Sequence, residues 1–155
     1  MKVVIQRVLY SNIEVNGEIV AAINRGLLVF LGVSHTDTEE QARKLVDKIA
    51  KLRIFSDTAG KTNLSIQDIR GELLVVSQFT LYADTKKGNR PSFIDAADPK
   101  KANDLYQYFA DYAKDKFEKV ETGIFGANMK ITLTNDGPFT IVMEAISQEF
   151  NGERS

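Results

Sequence analysis

The sequence contains no cysteine and a single histidine, His35. Without cysteine the chain has no disulfide, no thiolate metal site and no cysteine nucleophile. One histidine excludes any mechanism that needs two of them within the same chain. No cluster of histidine and carboxylate residues has the spacing of metal ligands, so we expect neither a metal nor another cofactor. His35 lies in a predicted loop, where a lone histidine is more typical of the surface than of a catalytic base.

Long apolar runs and an excess of positive charge are also missing. A membrane-spanning helix needs about 20 consecutive apolar residues, and no segment of the sequence approaches that length. Gln6 and Arg7 interrupt the N-terminal segment where a signal peptide would continue its apolar region. We therefore expect a cytoplasmic protein that does not enter a membrane. The formal net charge is -1, so the overall basic balance common in nucleic-acid-binding proteins is absent, and only local basic patches remain as candidates.

What the sequence does contain is the composition of one folded domain. Apolar residues make up 43% and charged residues 26%, which is ordinary for a globular protein. A chain of this length buries roughly two-thirds of its unfolded surface, enough for one core. Because no repeat, low-complexity tract or linker interrupts the chain, we predict a single domain over residues 1–148. A polar C-terminal tail is predicted over residues 149–155.

Strand patterns dominate the first third of the chain. Residues 2–9 are rich in Val and Ile, and residues 11–22 have the pattern of a hairpin with Asn16-Gly17 as its turn. Residues 26–33 form a continuous apolar run between glycines, whose length predicts a strand buried on both faces. Further strands are predicted at residues 72–82, 128–134 and 139–146.

Two helices are predicted between these strands. Thr38 and Gln41 have the spacing of a capping box at the start of the first helix. Asp98 as N-cap and Pro99 at the first helical position start the second helix. The order of elements lacks the regular alternation of a doubly wound fold. We therefore predict an α+β fold, with a mainly antiparallel, barrel-like sheet and two main helices packed outside it.

Two polar segments stand out from these apolar surroundings. Ser77-Gln78-Phe79-Thr80 places two hydroxyls and an amide at the end of a hydrophobic strand, where burying each group costs about 1–3 kcal/mol unless it is paired. A strand end that opens onto a pocket would explain them, and hydroxyls that face solvent or bond to backbone are the alternative. The segment lacks the glycines of a nucleophile elbow, which argues against a conventional serine hydrolase.

The second segment, Asn135-Asp136-Gly137-Pro138, consists of residues that turns favour. Taken alone, it predicts a turn between two strands. Nothing intrinsic to a Gly-Pro pair predicts a cis peptide bond, since only about 5–6% of X-Pro bonds are cis.

Together, the two segments resemble the two signatures of the D-aminoacyl-tRNA deacylases. Further blocks are similar to the same family in the same order, so the resemblance covers nearly the whole chain. These blocks are residues 3–8, 26–33, 86–91 and 123–129. One minor departure is Phe139, where many members carry Val.

The resemblance implies an enzyme that hydrolyses the ester bond of D-aminoacyl-tRNA, or of glycine mischarged on tRNA-Ala. Rejection of L-aminoacyl-tRNA would make the reaction a chiral proofreading step in translation. The resemblance also implies a homodimer, in which the Gly137-Pro138 loop of one subunit reaches the pocket of the other. In that family the Gly-Pro bond is cis, and by position Arg7 supports the loop.

Residue roles follow as expectations. The backbone of Phe79 and Thr80 is expected to form an oxyanion hole. The Thr80 hydroxyl is expected to position substrate or water, with a covalent role as the rival. Substrate-binding residues are predicted to be Ser77, Gln78, Asn135, Gly137, Pro138, Phe125 and Met129. For Phe79, Phe125 and Met129, ordinary core packing is the alternative. A basic loop with Lys86, Lys87 and Arg90 is predicted to contact tRNA phosphates, with a solvated loop as the alternative.

Three other functions remain open. The chain could be a non-catalytic tRNA-binding module that uses the same basic loop. It could be a hydrolase that attacks a different ester covalently through Ser77 or Thr80. It could also be a related deacylase that clears mischarged L-alanyl-tRNA. Arg7, Gly137 and Pro138 in their usual arrangement favour the D-selective type, by analogy.

Overall fold

The computed structural model describes residues 1–147, so the predicted tail over residues 149–155 lies outside the described part. The elements in chain order are β1 (Lys2–Val15), β2 (Glu18–Ile23), β3 (Gly26–Gly32), α1 (Glu39–Lys51), β4 (Phe55–Ser56), β5 (Thr62–Leu64), β6 (Glu72–Ser77), a 3₁₀ turn (Phe79–Tyr82), α2 (Pro99–Ala113), β7 (Lys119–Thr122) and β8 (Lys130–Glu144). No helix within residues 1–147 is long and apolar enough to cross a membrane.

Six strands form one barrel-like sheet that is nearly closed. Its order is β2-β1-β3-β6-β7, and β8 pairs with the other edge of β1. The pairs that β1 makes with β2, β3 and β8 are antiparallel, whereas β3-β6 and β6-β7 are parallel. The strands β4 and β5 form a separate small hairpin. The predicted α+β architecture with two helices is therefore confirmed, and the sheet is mixed.

The middle strands of this sheet are buried on both faces. In β3, Leu27 and Val29 belong to the larger core, which lies under the two helices, and Leu28 belongs to a second core on the opposite face. All three side chains are fully buried. This arrangement explains why residues 26–33 are apolar without alternation, as the sequence predicted.

Both helix starts follow the predicted capping. Thr38 accepts a hydrogen bond from the backbone of Glu40, and its own N–H donates to Gln41 Oε1 at 2.7 Å. Asp98 Oδ1 accepts from the backbone N–H of Lys101 at 3.0 Å. These contacts satisfy donors that a helix start would otherwise leave unpaired.

The segment Asn135–Pro138 is a bulge, and the predicted turn between two strands is wrong. Gln6 of β1 pairs with Thr140 and Val8 pairs with Asn135, so one residue of β1 faces four residues of β8 between these pairs. Because β1 continues without interruption, both halves of β8 find the same antiparallel partner. The chain therefore leaves the ladder and rejoins it without reversing direction.

The strand predicted over residues 72–82 ends at Ser77 and continues as the 3₁₀ turn. Its partner β3 ends at Gly32, and the N–H of Gln78 makes a last bond to the carbonyl of Leu31 at 2.8 Å. A Cβ on Gly32 would lie 2.9 Å from Cβ of Leu81. The glycine therefore allows the turn to pack directly against the end of β3.

Candidate functional site

A pocket of about 730 Å³ lies where β6 and β7 end and α2 begins. Its first wall is Ser77–Phe79 and its second wall is Phe125–Met129, the segment that leads into β8. Ala97, Pro99 and Ala102 line it from the start of α2, and Phe93 lines it from the preceding loop. Five of the predicted site residues therefore meet in one cavity: Ser77, Gln78, Phe79, Phe125 and Met129.

The first wall owes its shape to the end of the β3-β6 ladder. Ser77 is the last paired residue of β6, opposite Leu31. Beyond it, the Phe79 side chain is 55% exposed and meets Phe93 edge-to-face at 5.0 Å between ring centroids. A large aromatic side chain this exposed is not ordinary core packing, and an apolar ligand surface accounts for it better.

Two backbone donors stand beside this wall. The first hydrogen bond of the 3₁₀ turn runs from the N–H of Leu81 to the carbonyl of Gln78. The N–H groups of Phe79 and Thr80 precede that bond, so the turn itself does not use them. Adjacent N–H groups at the start of such a turn are suited to bind an oxyanion.

Thr80 itself lies at the rim of this wall. Its hydroxyl accepts a hydrogen bond from the side-chain amide of Gln78. Thr80 is exposed and does not line the cavity.

The second wall is shaped by two glycines. A Cβ on Gly123 would lie 2.6 Å from Sδ of Met129, so only glycine leaves Met129 its place in the pocket. Gly126 has φ +77°, a left-handed conformation that favours glycine. Phe125 packs against Tyr106 of α2 with 6.2 Å between the ring centroids.

The pocket carries no charged side chain among its lining residues. Its polar groups are the hydroxyl of Ser77 and the side-chain amides of Gln78 and Asn128. Below it, burial raises the pKa of the Tyr106 phenol to about 12. Such a cavity suits a neutral, partly aromatic portion of a ligand.

A second cluster forms around the bulge of β8. The peptide bond between Gly137 and Pro138 is cis, and both residues are exposed. Buried Arg7 donates from Nε to the carbonyl of Asp136 at 2.9 Å. Its guanidinium also lies 4.2 Å from the ring centroid of Phe139. Asn135 donates from Nδ2 to the carbonyls of Arg7 at 3.1 Å and Phe139 at 3.3 Å, which holds the two ends of the bulge together.

Within one protomer this bulge does not reach the pocket. Along β3, Leu31 lies opposite Ser77 and Leu27 lies opposite Arg7. Leu27 and Leu31 are four positions apart along β3, which corresponds to roughly 13 Å. The spacing between neighbouring strands adds to this distance between the bulge and the pocket. The structure thus divides the predicted site residues into a pocket group and a loop group.

The basic residues belong to neither group. Lys86, Lys87 and Arg90 are exposed on a loop that is closed by pairing of Asp84 with Ser92. Phe93 follows directly, so the loop borders the rim of the pocket. No group of three or more His, Cys, Asp or Glu side chains in the described part of the chain is arranged to hold a metal ion.

The residues that sequence reasoning missed are small, lie in segments predicted as loops or, like Asn128, begin a predicted strand. Ala97, Ala102 and Asn128 line the pocket, but alanine carries no chemical signal, and Ala102 matched the apolar stripe of the second helix. Phe93 lies in a segment without periodicity. Only the packing of α2 against the strand ends makes these residues part of one surface.

The sequence model of the D-Tyr-tRNA(Tyr) deacylase family matches residues 4–144. A protein of Dictyoglomus turgidum named D-aminoacyl-tRNA deacylase is 56% identical over 144 residues, covering 93% of this chain and 92% of that protein. The Aquifex aeolicus protein of the same name is 57% identical over 145 residues, covering 94% of this chain and 98% of that protein.

Two solved structures are similar in fold. One, described as c-Myc DNA Unwinding Element Binding Protein, has a TM-score of 0.90 at 40% identity and covers 95% of this chain and 100% of that chain. The other, described as a probable eukaryotic D-amino acid tRNA deacylase, has a TM-score of 0.80 at 18% identity. It covers 92% of this chain and 97% of that chain. The resemblance expected from the sequence is confirmed, and the chain belongs to the D-Tyr-tRNA(Tyr) deacylase family.

Proposed function

We propose that this protein hydrolyses the ester bond of D-aminoacyl-tRNA and releases the free D-amino acid and the tRNA. The observation that carries the proposal is the family match over residues 4–144. Relatives named D-aminoacyl-tRNA deacylase, which are more than half identical in sequence, support it. The reaction would take place in the cytoplasm, and its substrate would be the tRNA terminus.

The pocket fits the terminal adenosine of such a substrate. Its volume of about 730 Å³ falls in the range of small-molecule sites. Phe79 and Phe125 offer aromatic surfaces, and stacking of one base on such a ring contributes about 1–3 kcal/mol. The phosphates would remain outside the uncharged cavity, next to Lys86 and Lys87 on the adjoining loop.

Hydrolysis needs little beyond the backbone of the 3₁₀ turn, because an aminoacyl ester is already activated. The N–H groups of Phe79 and Thr80 would bind the oxyanion that forms when water attacks the carbonyl. The Thr80 hydroxyl would position the substrate or the water. The ribose 2′-hydroxyl of the substrate would assist proton transfer, which would account for the absence of a general base among the pocket-lining residues.

Chirality would be read by the bulge of a second subunit. Pocket contacts alone discriminate only about 10–200-fold, so rejection of the abundant L form calls for a steric clash. Carbonyl groups of Gly137 and Pro138 would bond the substrate amine and occupy the space that an L side chain needs. Glycine has no side chain to clash, so glycyl-tRNA mischarged on tRNA-Ala would be accepted.

A homodimer would supply that bulge in trans. Within one protomer no residue of the bulge lines the pocket, and the neighbours of the two groups lie four residues apart along β3. In the described part of the chain β8 pairs along only one edge, with β1. Its Val142 is 69% exposed, as is expected of a surface that another copy covers.

The decisive experiment compares deacylation of D-tyrosyl-tRNA and L-tyrosyl-tRNA by the purified protein. We expect turnover of the D form and a rate with the L form that stays at the level of the uncatalysed reaction. Binding of tRNA without turnover would instead identify a non-catalytic tRNA-binding module. Preferential cleavage of mischarged L-alanyl-tRNA would identify the related deacylase.

A further inference from the structure

Tyr106 of α2 lies next to the pocket, where it contacts the ends of β6 and β7 and the ring of Phe125. Its side chain is 1% exposed, and its hydroxyl donates to the carbonyl of Val75 at 2.9 Å. The carbonyl of Gly123 lies 3.4 Å from the same hydroxyl. Both carbonyls belong to the place where the parallel β6-β7 ladder ends, since Val75 pairs with Thr122 as its last pair.

The two walls of the pocket start from this point. Ser77 begins the first wall two residues after Val75, and Phe125 begins the second wall two residues after Gly123. Among the described residues, one other polar contact joins the two strand ends at this point. The N–H of Gly123 donates to the carbonyl of Val75 at 3.4 Å. The bond from the Tyr106 hydroxyl to Val75 is therefore the shortest of these three polar contacts at the point where the walls diverge.

The ring of Tyr106 completes the arrangement. It packs against Phe125 of the second wall at 6.2 Å between centroids. Ala102, which lines the pocket, lies one helical turn before it in α2. One side chain thus bonds the strand of the first wall, packs against the second wall and belongs to the helix that forms the floor.

We infer that Tyr106 is a positioning residue, whose hydroxyl sets the separation of the two pocket walls and thereby aligns the substrate with the Phe79 and Thr80 N–H groups. This inference rests on the proposed function of the pocket. A buried phenol that only filled space would need no hydroxyl, and phenylalanine would serve in its place.

The test is Tyr106→Phe, which keeps the ring and its packing. We expect kcat/KM for D-tyrosyl-tRNA to fall about five- to tenfold, mainly in kcat, because misalignment of the reacting groups affects the transition state more than initial binding. A stable analogue, adenosine with a 3′-amide-linked D-amino acid, is expected to bind with its Kd changed less than about threefold. A crystal structure of the variant is expected to show the walls displaced.

Tyr112→Phe is the matched control. Tyr112 lies on the same helix and donates its hydroxyl to Asp47 Oδ1 at 2.9 Å, away from the pocket. We expect this control to lower the melting temperature while changing kcat/KM less than about twofold. Incorporation of 4-aminophenylalanine at position 106 restores a donor and is expected to recover most of the lost kcat.

The outcomes separate the two ideas. If the wild-type protein is active and Tyr106→Phe matches Tyr112→Phe in kcat/KM, or loses only in KM, the positioning role is wrong and the proposed function stands. If the wild-type protein does not cleave D-tyrosyl-tRNA, the proposed function is wrong. Unchanged walls in the crystal structure of Tyr106→Phe would overturn the positioning role without any measurement of activity.

Discussion

Arg7 of β1 bonds the backbone of Asp136 in β8 from within the protein, with Nε 2.9 Å from the carbonyl oxygen and 3.3 Å from Oδ2. Its Nη1 bonds the carbonyl of Ile54 at 2.6 Å, next to β4. One buried guanidinium thus ties the exposed bulge that contains Gly137 and Pro138 to the interior. An arginine at this position fixes the bulge through geometry that a lysine cannot reproduce.

Replacing Arg7 is therefore expected to affect both stability and activity. Arg7→Lys keeps the charge but cannot donate to the carbonyls of both Asp136 and Ile54. We expect the free energy of unfolding to fall by about 2–4 kcal/mol, because these carbonyls lose hydrogen bonds. The melting temperature should fall by roughly 5–15 °C. Deacylation should fall at least about tenfold, because the bulge loses its fixed position. The control is Arg43→Lys on the exposed face of α1, where neither quantity should change appreciably. Equal effects at both positions would contradict the anchoring role.

Gly137→Ala tests chiral rejection. An added Cβ would lie 3.1 Å from Oδ1 of Asn135, whose amide holds the bulge closed. The Asn135 side chain must give by a few tenths of an ångström, which disturbs the bonds that close the bulge. We therefore expect increased cleavage of L-tyrosyl-tRNA or loss of D-tyrosyl-tRNA binding. The measurement is the ratio of kcat/KM for the two substrates.

Pro138→Ala is expected to change the same ratio. Pro91→Ala, in the exposed loop before Phe93, is its matched control and should leave the ratio unchanged. A constant D/L ratio with full activity in all three variants would show that the bulge does not select chirality.

Thr80→Val distinguishes positioning from covalent catalysis. If the hydroxyl positions the substrate or water, we expect kcat to fall about tenfold or less, since the backbone N–H groups remain. A nucleophile would lose nearly all turnover. A companion substrate that lacks the terminal 2′-hydroxyl should be cleaved very slowly by the wild-type enzyme. Rapid cleavage of that substrate would rule out assistance by the ribose.

The basic loop is expected to make the affinity for tRNA depend more steeply on salt concentration. If Lys86 and Lys87 each neutralise a phosphate, the double alanine variant should reduce the slope of log K against log salt by up to about 2. Lys48 and Lys51 are also exposed and basic, at the end of α1, so their double alanine variant is the charge-matched control. Equal slopes in both variants would indicate a solvated loop without specific phosphate contact.

Alkaline pH should destabilise the fold through Tyr106. Burial raises the pKa of its phenol to about 12 in the folded chain, above the unfolded value of about 10. Between these values the unfolded chain releases the proton and the folded chain retains it, so stability is lost as pH rises. Tyr106 alone contributes a loss of up to about 1.4 kcal/mol per pH unit. Urea denaturation between pH 9 and 11 should show a shallower decline for Tyr106→Phe than for wild type, and parallel curves would contradict this account.

Several elements could be predicted because their causes are local. The capping groups at Thr38 and Asp98, the Asn16-Gly17 turn and the doubly buried β3 each leave a signature within a few residues. β7 was not predicted, since Lys119–Thr122 carries one aliphatic residue and gains its place by pairing with β6. The 3₁₀ turn was missed because Phe79–Tyr82 continues the apolar pattern of β6, and only the end of β3 stops the strand.

By itself, the sequence determined the α+β architecture and the family of this protein. The blocks around Ser77 and Gly137 are specific enough to identify the family wherever they lie in space. The tertiary structure alone decided that Asn135–Pro138 is a bulge, because only the unbroken length of β1 shows that both halves of β8 share one partner. It also decided the separation of pocket and bulge and the place of Tyr106 beneath both walls, since contacts between residues distant in the chain leave no local pattern in the sequence.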